Sequence, residues 1–254
     1  MIIRRLATAV RRQDWFTVLI EIGIVVIGLL IGLQINNWNE TRTDRMQEKA
    51  FLERLAVDVD RAREQLVAFV AAREERLQAI AKVENMYFGD AQVPPLSEWE
   101  CTQVAGMHII NYPPVAVPSI TEAFAGGRID LLSEPGVIRT LIAVEQSEER
   151  LRTVIDATRL ESPVLSERHP GAISFVRATQ KHGYDLDAVF ATDGYRKSAR
   201  CHFLQTTPDT AFVSDVVSGL QANQWYVSYL KRHLGRLDEL AAALGGAPQS
   251  EKAK

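Results

Sequence analysis

An all-α architecture is predicted: one N-terminal transmembrane helix, then an extracytoplasmic bundle of long antiparallel helices with an irregular, loop-rich cap. Three observations in the 254 residues predict it. The stretch from Trp15 to Trp38 holds Glu21 as its single ionisable residue. Apolar residues recur at three-four spacing over residues 40–88 and again over 208–244. Proline and glycine crowd the segments between. The balance of 29 Lys+Arg against 32 Asp+Glu leaves a net charge of −3, with no cationic excess for a polyanion, so nucleic acid is not expected as a partner. Charged residues at 24% and hydrophobic ones at 46% are ordinary globular values and argue against disorder.

Residues 1–14 form a basic segment in which Arg4, Arg5, Arg11 and Arg12 are offset only by Asp14. Beyond the apolar stretch, Arg42, Arg45 and Lys49 are interleaved with Glu40, Asp44 and Glu48. Cationic residues are retained on the cytoplasmic side, so the N-terminus is expected inside and residues 39–244 outside. Residues 15–38 reach about 36 Å as a helix, enough to cross a hydrocarbon core of about 30 Å with Trp15 and Trp38 as interface anchors. The uninterrupted apolar core, Ile22 to Leu33, is also the length of a buried core helix or of a signal-peptide h-region. No small-residue cleavage site follows it, and an uncleaved anchor is expected. Glu21, Gly28 and Gly32 share one helix stripe. Small residues allow close helix approach in lipid, where a carboxyl commonly faces a partner, so self-association stands beside a reading in which Glu21 reaches the headgroups.

Trp15, Glu21, the glycine-punctuated apolar run and the exit Leu33-Gln34-Ile35-Asn36-Asn37-Trp38-Asn39-Glu40 together resemble a family of bacterial single-span membrane proteins of unknown function, marked by an LQxNNWNE-type junction. The stretch from Ser119 to Glu134 is similar to the family's mid-domain pattern of short helix, small-Gly turn and acidic helix start, although Gly126-Gly127 stands where one such step is usual. The resemblance is strong over residues 15–50, moderate over 117–145 and negligible elsewhere. It implies a bacterial inner-membrane location with a periplasmic C-terminal domain, and it carries no known activity.

Past the membrane, Leu52, Leu55, Val59, Ala62, Leu66 and Phe69 predict a helix seam. Arg73 breaks its register and Leu77 resumes it, a spacing that predicts a stutter. The helix is expected to end at Gly89-Asp90. A proline-rich loop follows to Pro118, with a short helix over 98–108. Ser119 is placed as the cap of a short helix to Phe124, which Gly126-Gly127 ends, and Ser133-Glu134-Pro135 opens a helix over 134–160 with Val137, Leu141, Val144, Leu151 and Ile155 inward. Residues 162–207 are read as irregular, with one helix near Ala172 to Lys181. Thr207-Pro208 opens the most regular seam, Val213, Val216, Leu220, Asn223, Val227, Leu230, Leu234, Leu237, Ala241 and Leu244. Residues 245–254 read as a polar tail. Asn223 either fixes register or oligomeric state, or is an amide bonded within the domain.

The two cysteines, Cys101 and Cys201, fall outside the membrane, where lone thiols tend to pair. A disulfide is expected, against two buried thiols or a metal site built with His108 and His202. Adjacent Cys201-His202 chelates poorly and no CxxC or HxxxH spacing occurs, so no metal and no cofactor are expected. His169, His182 and His233 are read as surface or cap residues. No nucleophile elbow, zinc-protease or phosphate-loop motif occurs. The expected function is therefore an interaction, scaffold or sensing module without catalysis. Its partners would be the lipid bilayer, a second copy through the membrane helix, or a membrane or periplasmic protein. The alternative is a membrane-anchored enzyme with a site in loops 89–118 and 162–207, built from Asp185, Asp187, Asp193, His169 and His202.

Overall fold

The computed structural model describes residues 15–89, 93–113, 115–177, 197–203 and 209–246. The chain divides into two compact units, residues 1–53 and 54–254. Helix α1, Trp15–Phe88, is continuous over 74 residues. Within the first unit, every large apolar side chain described from Ile20 to Ile35 is exposed, as is Trp38.

In the second unit α1 acquires a buried face. Leu55, Val59, Ala62, Leu66, Phe69, Arg73, Arg76, Ile80 and Val83 are all buried, at alternating steps of four and three. The expected break at Arg73 and stutter to Leu77 are therefore corrected. The heptad runs on with two arginines in it, and Leu77 is only half-buried. A guanidinium can occupy a seam where backbone carbonyls meet it, and here they do.

Helix α2, Glu98–Ala105, is shorter than the expected 98–108 and opens on a capping box. Glu100 N–H donates to Ser97 Oγ at 3.2 Å, and Ser97 N–H donates to Glu100 Oε2 at 2.7 Å. Helix α3, Pro118–Ala125, starts one residue before the proposed cap, with Pro118 at its first position and Val117 as N-cap. Ser119 is inside the helix, and Asp58 of α1 does the capping in trans: its Oδ2 accepts from Ser119 N–H at 3.3 Å and from the Ser119 hydroxyl. Gly126 and Gly127 end α3, Gly127 with a φ of 64° that glycine adopts without a Cβ penalty. A 3₁₀ turn, Arg128–Leu131, leads to α4, Pro135–Glu161, whose Val137, Leu141, Val144, Leu151 and Ile155 are all buried.

A one-turn helix α5, Leu165–Arg168, precedes a feature absent from the sequence reading. Strands β1, Ile173–Arg177, and β2, Lys197–Cys201, pair antiparallel, with Ile173 opposite Cys201 and Arg177 opposite Lys197. The helix expected near Ala172–Lys181 is a strand as far as Arg177, and its remainder lies outside the described residues. Ladder pairing to a strand fixed on α2 overrides a marginal helical pattern.

Helix α6, Thr210–Gly246, packs against α4 and is tied to α1 by Arg63–Asp238 at 2.6 Å and by Lys231–Glu74. These pairs run in opposite order along the two helices. Val216, Leu220, Asn223, Val227, Leu230 and Leu237 are buried as the seam requires. Val213, Leu234, Ala241 and Leu244 are half-buried, and Phe212, Tyr226, His233 and Leu240 take full burial one position earlier. A helix facing two neighbours needs a stripe wider than one seam.

Candidate functional site

The segment from Gly106 to Tyr112 leaves α2 without regular structure, and beyond two turn bonds, Ile109 N–H to Gly106 O at 2.9 Å and Ile110 N–H to His108 O at 3.1 Å, its carbonyls need other partners. Side chains from three long helices supply them. From α1, Arg73 Nη1 donates to Ile109 O at 3.2 Å, and Arg76 Nη1 donates to Ile109 O at 3.0 Å and to Gly106 O at 3.4 Å. From α4, Arg159 Nε donates to Ile110 O at 2.6 Å. From α6, Asn223 Nδ2 donates to Met107 O at 2.9 Å, and the Tyr226 hydroxyl donates to Asn111 O.

Arg73 is 2% exposed and Arg76 6%, and burying a cation costs several kcal/mol unless its donors are met. Besides the carbonyls, Arg73 lies 4.9 Å from the Phe69 ring centroid and 5.6 Å from that of Tyr226, and Arg76 Nε donates to Gln103 Oε1 at 2.8 Å. Arg159 stacks over Tyr112 at 4.8 Å. Burial pushes the Tyr226 hydroxyl up to about 12, which keeps it a donor across the physiological range. Guanidinium groups do not exchange protons near neutrality, so this clasp positions backbone rather than moving protons. Asn223 also donates to Gly219 O at 2.8 Å. Of its two sequence readings, the structure shows the amide bonded within the chain. Gly219 stands beside it, and a Cβ there would come within 2.3 Å of Met107 Cε, so the end of that flexible side chain would have to move.

The two cysteines meet between α2 and β2. Cys101 and Cys201 are at disulfide distance, S–S 1.99 Å with Cα atoms 5.8 Å apart. Neighbouring contacts repeat the attachment: Ala199 N–H donates to Thr102 Oγ1 at 2.9 Å, and the Ser198 hydroxyl donates to Glu98. A bonded pair of sulfurs removes two ligands from the metal alternative. His202 instead meets Ser174 Oγ at 2.8 Å, and burial draws the His108 imidazole below its ordinary value.

Of the other histidines, His169 caps the C-terminal end of α5, as one of the two expected roles has it, whereas His233 is neither surface nor cap. His169 Nε2 lies 2.9 Å from Asp215 Oδ2, edge-on to Phe212 at 5.3 Å. His233 is 4% exposed, with Nδ1 2.7 Å from Ser147 Oγ, and burial holds its imidazole below the usual histidine value. The Ser147 hydroxyl donates onward to Val144 O at 2.8 Å, so the imidazole Nδ1–H is the donor to Ser147. That order is the reverse of a serine handing its proton to a histidine base. His182, Asp185, Asp187 and Asp193 lie outside the described residues, as do Arg4, Arg5, Arg11 and Arg12.

In the first unit, Trp15 opens α1 and Glu21, Gly28 and Gly32 lie within its helical backbone. A Cβ at Gly28 or Gly32 would meet nothing within 4 Å. The helix over Ile22–Phe88 is long and apolar enough to cross a membrane, with an 18-residue window of mean hydropathy 1.5. A profile described as a family of unknown function, DUF6090, matches residues 21–150. The chain belongs to the DUF6090 family. Within the DUF6090 match lie the apolar stretch, the arginine seam, Cys101, the clasped segment and the first part of α4; Cys201, Arg159, Asn223 and Tyr226 lie beyond it. No curated protein and no solved structure matches the chain.

Sequence reasoning read Arg73 as a break in the seam and missed Arg76 and Arg159. For the first two a signal was present: two cations standing on consecutive heptad positions mark a seam that faces carbonyls, not a seam that stops.

Proposed function

We propose that this protein is a single-pass inner-membrane component whose periplasmic helical domain serves as an interaction or sensing module and carries no chemistry of its own. Residues 15–38 form the anchor, with Trp15 and Trp38 at the interfaces, the N-terminus cytoplasmic behind Arg4, Arg5, Arg11 and Arg12, and the C-terminal domain outside. The observation carrying this reading is that Ile22, Val25, Leu29 and Leu33, on one side of α1, and Ile24, Ile27 and Ile31, on the other, are all more than half exposed. An apolar side chain left in water forgoes about 1.5 to 3 kcal/mol relative to burial, so a helix apolar all round needs lipid or protein against it. The Cys101–Cys201 pair supports an oxidising compartment for the domain beyond.

In this reading the stripe of Glu21, Gly28 and Gly32 pairs two copies in the bilayer, and the continuous α1 couples the domain to that pair. Alkaline phosphatase fused to the C-terminus should be active and fluorescent protein dark, and carbonate should leave the chain in the membrane pellet. A cytosolic C-terminus or carbonate release would defeat the proposal. Crosslinking in native membranes, with Gly28→Leu plus Gly32→Leu as control, reads the pairing.

A further inference from the structure

A cleft of about 330 Å³ opens between α4 and α6. Its rim carries three guanidinium groups, Arg150 from α4 and Arg232 and Arg236 from α6, against one carboxylate, Glu239. The excess is cationic although the whole chain carries −3. The spacing explains the geometry: Arg232, Arg236 and Glu239 follow at four and three along one face of α6, and Gly235 between them leaves open space where a side chain would stand. Ser147 stands one turn before Arg150 on α4, and His233 lies behind it in the wall.

Two of the three cations are held in place. Arg232 stacks over the Tyr229 ring at 4.9 Å, and Tyr229 stacks on Trp225 with centroids 6.3 Å apart. Arg236 donates to Glu239 at 2.6 Å. Among the described residues no ion pair engages Arg150, which faces the cleft from the opposite helix. Planar guanidinium groups converging from two helices match the oxygens of a phosphate or carboxylate, and fixing them beforehand lowers the ordering cost of binding. The cleft volume lies at the small-ligand end of known sites.

We infer that the Arg150–Arg232–Arg236 cleft is a binding site for a small polyvalent oxyanion, a phosphate-bearing or polycarboxylate molecule. This deepens the sensing role by naming a ligand class, and it rests on that role only for its physiological meaning. Binding is measured on the full-length chain in detergent micelles, wherever the chain resides in the cell.

Calorimetric titration at low salt with inorganic pyrophosphate and, separately, with citrate distinguishes the two oxyanion sources. Saturable heat with one of them is expected. Arg150→Ala should weaken it about tenfold or more, Arg150→Lys less, because a lysine keeps the charge without the fork. Arg152→Ala is the control: that guanidinium is paired with Glu148 at 2.6 Å, outside the cleft, and its loss should change affinity less than twofold. Unchanged melting of Arg150→Ala excludes misfolding. The site is overturned by absence of saturable binding with both probes, by an Arg150→Ala affinity equal to wild type, or by equal losses in Arg150→Ala and Arg152→Ala, which would mean diffuse charge. A failed titration with the C-terminus still external removes the ligand and leaves the anchor; a cytosolic C-terminus with intact titration does the reverse.

Discussion

Two stretches of α1 share one helix and differ in where they keep charge. Over Ile22–Ile35 no side chain is ionisable and the large apolar groups face outward. Over residues 55–83 two arginines point inward while Val57 and Val67 stand exposed. Burial thus follows partners rather than polarity. Arg73 and Arg76 are inside because the carbonyls of Gly106 and Ile109 accept from them, and Ile24 and Leu29 are outside because no protein atom covers them. Composition alone ranks the two stretches correctly for hydropathy and wrongly for which residues are enclosed.

The contrast breaks most visibly if charge is moved into the first stretch. Val26→Arg places a cation at mid-span, where insertion scales charge about 2.5 to 3.5 kcal/mol. Carbonate extraction should shift the chain from the pellet to the supernatant, and retention of Val26→Arg in the pellet would mean that protein, not lipid, covers the helix. In folding free energy the sulfur bridge weighs most. It closes a separation of 100 residues, worth about 4 to 5 kcal/mol in the chain-entropy model, so Cys201→Ser should lower the melting temperature of the purified chain markedly. The same loss should follow dithiothreitol treatment of the wild type, and no further loss should follow it in the variant.

Moving charge out of the second stretch tests the clasp. Arg73→Ala removes the stack on Phe69 and Tyr226 and a donor to Ile109 O, at a cost of about 2 to 4 kcal/mol in denaturant titration. Arg73→Met, which fills the volume without a charge, should cost less, because replacing a buried ion with an apolar side chain is often near neutral. Equal losses would show that the charge, and not the filled space, holds the segment. Asn223→Ala leaves Met107 O short of a donor and should cost about 1 to 2 kcal/mol.

What was legible follows the same division. Long elements with a repeating apolar period were readable because one periodic face fixes them: α4 with its five inward positions, and most of the α6 seam. Elements defined by a distant partner were not. Ser119 looked like a cap because caps are local, yet the oxygen that caps α3 comes from Asp58 across the fold. Ile173–Arg177 looked weakly helical until its ladder to Lys197–Cys201 is counted. His233 was read as superficial from its type; its burial depends on α6 meeting α4 at Ser147. Of the clasp, Asn223 was singled out as a polar seam residue and Arg73 only as a break, since carbonyl acceptors have no sequence signature.

That histidine gives the smallest and most graded test. Burial lowers the His233 pKa in the folded chain below its ordinary value of 6.5, with Glu148 opposing the shift. The unfolded chain therefore takes up a proton that the folded one refuses as pH falls through 6.5, so stability is complete above that pH and declines below it. Arg150, Arg152, Arg232 and Arg236 stand around the two clefts that His233 lines, and a protonated imidazole would join them. The unfolding midpoint should fall between pH 7.5 and 5.5, by at most about 1.4 kcal/mol per pH unit for one proton. His233→Gln should flatten that fall, leaving the smaller slope of His108, whose pKa burial also lowers. A variant as steep as the wild type would assign the acid sensitivity elsewhere and return His233 to a purely packing role in the α4–α6 contact.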